Sequence, residues 1–128
     1  MPFVQIYLGD HLTQKNKEDI SLAIHQSLMD NFHIPADDYF QVINAVAAGD
    51  ILYPGSYFEV PHSPNLLYIR ITARSGRTVE MKQSLYKNIA ERIAAATPVS
   101  ADDVVIIFVE NESADWSFGR GIAQMVGK

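Results

Sequence analysis

Pro2 stands directly behind the initiator methionine. The small residue at this position predicts that an aminopeptidase removes Met1, leaving a proline with a free secondary amine. Such an amine titrates near neutrality, with a reference value of about 7.7–8.0. It is a base when neutral, an acid when charged and a nucleophile toward a carbonyl. A retained Met1 would block it. Proline is tolerated at the start of many proteins, so its neighbours decide its meaning. Pro2 opens the apolar run Phe3-Val4-Gln5-Ile6-Tyr7-Leu8, which would hold the amine on a strand. A second group of interest is Arg70, Arg74 and Arg77, three of the five arginines in an acidic chain. The planar guanidinium fork suits carboxylate or phosphate. The competing reading is a solvated loop.

The elements that must position these residues are written twice. Pro35-Ala36-Asp37-Asp38 has a counterpart in Ser100-Ala101-Asp102-Asp103, at an offset of 65 residues. At the same offset Ile20, Ile24 and Leu28 match Leu85, Ile89 and Ile93, each set with the spacing of a buried helical stripe. Apolar runs Tyr39–Val46 and Val104–Val109 follow the two Asp-Asp pairs. Each half reads strand, helix, strand, which requires a parallel pair and a crossover. The helices are expected at about 15–31 and 79–95, with Thr78 capping the second, Glu80 in its first turn and Pro98 beyond its end. Ala47–Pro64, rich in Gly and Pro, reads as a connection with a short hairpin.

The expected fold class is α+β, an α/β two-layer domain over residues 1–128. Its halves are about 1–46 and 66–110, with a C-terminal arm, 111–128, that turns back at its glycines. Two β-α-β units give a four-stranded sheet with both helices on one face. The other face would be bare and apolar, and association of identical chains is the natural remedy.

Composition narrows the function. The chain has 128 residues, no cysteine and a net charge of -5, which excludes disulfides and argues against nucleic-acid binding. No apolar run reaches the roughly 20 residues of a membrane span, and no secretory signal is visible, so a cytoplasmic location is expected. His11, His25, His33 and His62 lack paired metal-ligand spacing, and no metal is expected.

Three segments resemble the tautomerase superfamily and, within it, the malonate semialdehyde decarboxylase family. They are Met1-Pro2, the stretch Ile34-Pro35-Ala36-Asp37-Asp38-Tyr39-Phe40-Gln41, and the stretch Val109-Glu110-Asn111-Glu112-Ser113-Ala114-Asp115-Trp116-Ser117-Phe118-Gly119-Arg120-Gly121. The last is the most specific. The likeness is weak through Ala47–Pro64. The resemblance implies a cofactor-free enzyme, a homotrimer and a small carboxylate substrate, a 3-oxo or 2-oxo acid. It makes Pro2 and Asp38 catalytic partners, Arg74 and Arg77 the substrate-gripping arginines, and Trp116 and Phe118 an apolar wall. One departure stands out: the family's Arg-Pro-Arg is here Arg74-Ser75-Gly76-Arg77, with one residue more between the arginines. A shift of about 1 Å at such a site can cost about 10²-fold in rate.

Three activities are consistent with these residues. The first is decarboxylation of a 3-oxo acid, in which Pro2 stabilises the developing enolate as an acid or as an iminium. The second is tautomerisation or hydration of 2-oxo acids at the same site. The third is a non-catalytic trimeric binding protein. Asp38 favours a charged amine and the arginines oppose it. Asp103, at the repeat position of Asp38, is expected to do turn chemistry only.

Overall fold

The computed structural model describes residues 1–127, and Lys128, the last residue of the expected arm, lies outside them. In chain order the elements are β1 (Phe3–Gly9), α1 (Gln14–Phe32), β2 (Phe40–Val46), a small hairpin of β3 (Ser56–Tyr57) and β4 (Val60–Pro61), β5 (Leu67–Arg74), α2 (Val79–Ala96) and β6 (Val104–Asn111). Both helices start on a threonine. The Thr13 hydroxyl accepts from the Asn16 amide while the Asn16 side chain accepts from the Thr13 amide, and Thr78 accepts from the Met81 amide. Helix α1 stops at His33, which takes a left-handed conformation, and Pro35 cannot continue it.

The four long strands form one mixed sheet in the order β2-β1-β5-β6. Each half supplies a parallel pair, as the strand–helix–strand pattern requires. The halves meet through an antiparallel β1–β5 pair in which Gln5 faces Arg70. Those two residues are themselves repeat equivalents, so the pseudo-twofold axis of the duplication passes between them.

Alternation along β1 and β5 sends Val4, Ile6 and Leu8, with Leu67, Ile69, Ile71 and Ala73, toward the helices. There they meet Ile20, Ile24 and Leu28 of α1 and Leu85, Ile89 and Ile93 of α2, in one buried cluster. The two helical stripes read from the sequence are therefore the helical half of the core. Tyr7 and Tyr68 on the opposite face are half-buried, and Phe40, Val42 and Ile107 stand exposed. In the tail Gly119 and Gly121 take positive φ and Phe118 packs on Phe40. Among the described residues, no helix is long and apolar enough to cross a membrane.

Asp103 does more than form a turn. It is buried, and its carboxylate accepts from the amide and the hydroxyl of Ser63, tying the end of the connection between the halves to the start of β6. A buried carboxylate must be hydrogen-bonded, and Ser63 meets that need.

Candidate active site

Strand register brings the sequence-predicted residues to one end of the sheet. Phe3 faces Phe40 in the parallel β1–β2 pair, so Met1 and Asp38, two residues earlier on each strand, come side by side. Strand β5 runs the other way with Thr72 opposite Phe3, which puts Arg74 at the same end. Arg74 pairs in turn with Asn111 of β6, whose side-chain oxygen accepts the indole N–H of Trp116 at 2.9 Å.

The α-amine of Met1 lies 3.2 Å from Asp38 Oδ2. Asp38 is only 7% exposed, and apart from this contact neither carboxylate oxygen has a hydrogen-bond partner among the described residues. Charge attraction and hydrogen bonding to the ammonium hold the pair. Burial pushes the amine below its ordinary value; attraction to Asp38 works against this, and the charges of Arg77 and Arg74 add to the lowering. Burial, which the charges of Asp38 and the arginines do not reveal, is the largest of these effects. Pro2 itself is buried behind Met1, and its nitrogen is here part of a peptide bond.

A cleft of about 250 Å³ opens at this point, lined by Met1, Pro35, Asp37, Asp38, Phe40 and Phe118. Phe118 therefore stands in the wall. Trp116 stands behind it, stacked at 5.6 Å with 12° between the ring planes, and buttresses it without lining the cleft. The arginines also stand outside the lining. Arg74 is exposed, while Arg77 lies over the Phe32 ring at 4.9 Å and donates from Nη1 to the Arg74 carbonyl at 2.8 Å. Burial and the Arg74 charge lower Arg77, and Asp38 raises it. The lengthened loop turns at Gly76, whose φ of 117° strains any residue with a Cβ. Ser75 fixes the loop by donating from its amide to Asn111 O and from its hydroxyl to Glu112, both at 2.8 Å.

One group escaped the sequence reading. His25 of α1 is 4% exposed, donates from Nε2 to the Ala36 carbonyl at 2.9 Å and stacks on Tyr39 at 4.1 Å. It thereby holds the turn on both sides of Asp38. Ser21 adds contacts to the Tyr39 hydroxyl and to Gln41. A signal existed: Ser21 and His25 lie one helical turn apart on the buried side of α1, and buried polar groups must find partners.

A family model described as tautomerase enzyme matches residues 38–119. Probable tautomerase YusQ of Bacillus subtilis (strain 168) is 40% identical over 126 residues, covering 98% of this chain and 99% of that protein. The chain belongs to the tautomerase superfamily. Two solved structures are also similar to this chain. One is malonate semialdehyde decarboxylase FG41 inhibited by 3-bromopropiolate, with a TM-score of 0.91, 34% identity and coverage of 97% of this chain and 94% of that one. The other is a malonate semialdehyde decarboxylase described with decarboxylase and hydratase activities, with a TM-score of 0.90, 27% identity and coverage of 97% and 95%. The tautomerase fold, two helices over a four-stranded mixed sheet, and the standing of this chain as an enzyme follow from these likenesses.

Proposed function

We propose that the chain, once Met1 is removed, is a cofactor-independent decarboxylase of a small 3-oxo acid such as malonate semialdehyde. The observation that carries this reading is the start of β1 beside the buried Asp38 carboxylate, with the Met1 amine, one residue before Pro2, in a cleft walled by Phe40 and Phe118. The likeness to malonate semialdehyde decarboxylases supports it.

In this reading the neutral Pro2 nitrogen attacks the C3 aldehyde carbon. The carbinolamine loses water and becomes an iminium. The C1–C2 bond then breaks, CO2 leaves and its bonding pair moves into the iminium to form an enamine. Protonation at C2 and hydrolysis release acetaldehyde and return the free amine. Burial lowers the Met1 amine in this structure, and the same burial acting on a Pro2 amine would favour the neutral nucleophile. Asp38 stabilises the cationic iminium. Phe40 and Phe118, with Trp116 behind, exclude water from the departing carboxylate. Arg74 and Arg77 orient the substrate. A grip on the carboxylate alone would favour the ground state, so in this reading the arginines act by orienting the C1–C2 bond against the iminium.

A second reading rests on the same lowered amine acting as a base. It would abstract an α-proton from a 2-oxo acid and return it elsewhere, giving an enol–keto tautomerase; hydration at this site is the related possibility. The working unit in either case is taken to be a homotrimer, since Phe40, Val42 and Ile107 present apolar surface on the face away from the helices.

The deciding experiment is NMR of malonate semialdehyde turnover by protein whose mass confirms the loss of Met1. Acetaldehyde at an enzymatic rate, abolished by Pro2→Ala, supports the decarboxylase. No turnover, with activity on 2-oxo acid enols, favours the tautomerase. Asp38→Asn should impair decarboxylation or hydration more than tautomerisation, and an intact decarboxylation rate in that variant overturns the role given to Asp38. Retention of Met1 in the native host would exclude proline catalysis and leave the non-catalytic binding protein.

A further inference from the structure

The pseudo-twofold axis generates a second cavity. It is larger than the first, at about 470 Å³, within the size range of small-molecule sites. Its lining includes the repeat equivalents of the first site's residues: Leu66 for Met1, Asp102 for Asp37, Val105 for Phe40 and Tyr53 for Phe118. The chemistry has been exchanged. A buried leucine in mid-chain replaces the amine. Asp103, the counterpart of Asp38, spends its carboxylate on Ser63. Gly9 and Leu12 stand where the first half-site has Arg74 and Arg77. The hairpin segment adds Tyr57, Phe58 and His62 from the part of the chain where the family resemblance is weakest.

We propose that this second cavity binds a small apolar molecule carrying an ammonium group. Five rings line it, those of Tyr53, Tyr57, Phe58, His62 and Tyr68, and aromatic faces attract cations. Among the described residues no lysine or arginine is in the lining, which includes the acidic Asp102. The remaining hydrogen-bonding capacity is biased toward acceptors. His62 Nδ1–H is committed to the Pro54 carbonyl at 2.8 Å, which leaves Nε2 of the neutral ring as a lone pair. The Tyr68 hydroxyl proton is likewise committed to the Leu52 carbonyl. A carboxylate would meet Asp102 and no fixed cation, so this cavity selects against the acids that suit the first site.

The test uses phenethylammonium and its near-isosteric anion phenylacetate, titrated into the full-length protein by calorimetry and by NMR of the His62 ring protons. Phenethylammonium should bind saturably and shift those protons, and phenylacetate should not. Asp102→Asn should weaken phenethylammonium about tenfold, the scale of a lost charge-assisted bond. Equal binding of the two probes, or unmoved His62 protons at saturating phenethylammonium, overturns the proposal. Sedimentation of a Tyr57→Ser, Phe58→Ser double variant supplies the control for the hairpin. A lower assembly mass than the parent would make the cavity wall a contact between copies and would also overturn it; an unchanged mass supports it. Binding is read without turnover, so the result is independent of the reaction assigned to the first site.

Discussion

The Met1 amine and Asp38 Oδ2 lie 3.2 Å apart in a cleft where the carboxylate has no other partner among the described residues. Asp38 is thus available to whatever cation forms at the N-terminus, whether ammonium or iminium. Its position depends on the main chain of its turn and on the charge it faces.

The first prediction concerns pH. The Met1 amine is lowered chiefly by burial, raised by Asp38 and lowered further by Arg77 and Arg74, and the Pro2 amine that takes its place is expected to feel the same groups. Activity that needs a neutral amine rises with pH through this pKa. Asp38→Asn should move that rising limb to lower pH, and Arg77→Gln should move it to higher pH. The profile of kcat/KM against pH reports the free enzyme and checks both directions. A limb that shifts the opposite way in either variant would remove the assigned electrostatics. The stability contribution has the same sense: protonation is harder in the folded state, so it is present above the ordinary amine value and lost as pH falls through the lowered one.

His25 should act on the site without entering it. His25→Ala removes the bond to Ala36 and the stack on Tyr39. Stability should fall by about 1–3 kcal/mol, since a buried carbonyl loses its partner. The kcat should drop about tenfold or more at little change in KM, because a turn displaced by about 1 Å misplaces Asp38. His25→Gln, which can still donate to Ala36, should recover part of the rate. A variant that loses stability alone would make His25 purely structural.

Asp103→Ala separates the two halves of the duplication. It leaves the Ser63 amide and hydroxyl without their acceptor, at an expected cost of about 2–3 kcal/mol in chemical denaturation. The pH profile of the surviving activity should be unchanged, since Asp103 belongs to the other half-site. A shifted profile would show that the two ends of the sheet are coupled.

Gly76→Ala tests the lengthened arginine loop. At φ 117° a Cβ is strained even though it meets no neighbouring atom within 4 Å. The loop must rebuild to relieve the strain, at a cost of roughly 1–2 kcal/mol. KM should rise more than kcat falls if Arg74 and Arg77 mainly bind and orient substrate. Unchanged kinetics would mean that the spacing of the arginines does not matter here.

The local elements were legible in the chain. Helices at Gln14–Phe32 and Val79–Ala96, the Thr78 cap and both parallel pairs follow from i, i+4 apolar spacing and from the strand–helix–strand order, because short-range sterics and crossover geometry admit few alternatives. The 65-residue offset likewise exposed the duplication. Three things required the tertiary structure. The antiparallel register of β1 and β5 has no short-range signature, yet it alone carries Arg74 to the end of the sheet where Met1 and Asp38 meet. The cleft beside the Met1 amine is walled by Phe40 and the returning Phe118, which come from distant parts of the chain. Trp116 and His25 owe their supporting roles to partners that only packing supplies. Residue types and spacing set the local chemistry, and long-range pairing decided which of those groups face one another and how far from water they stand.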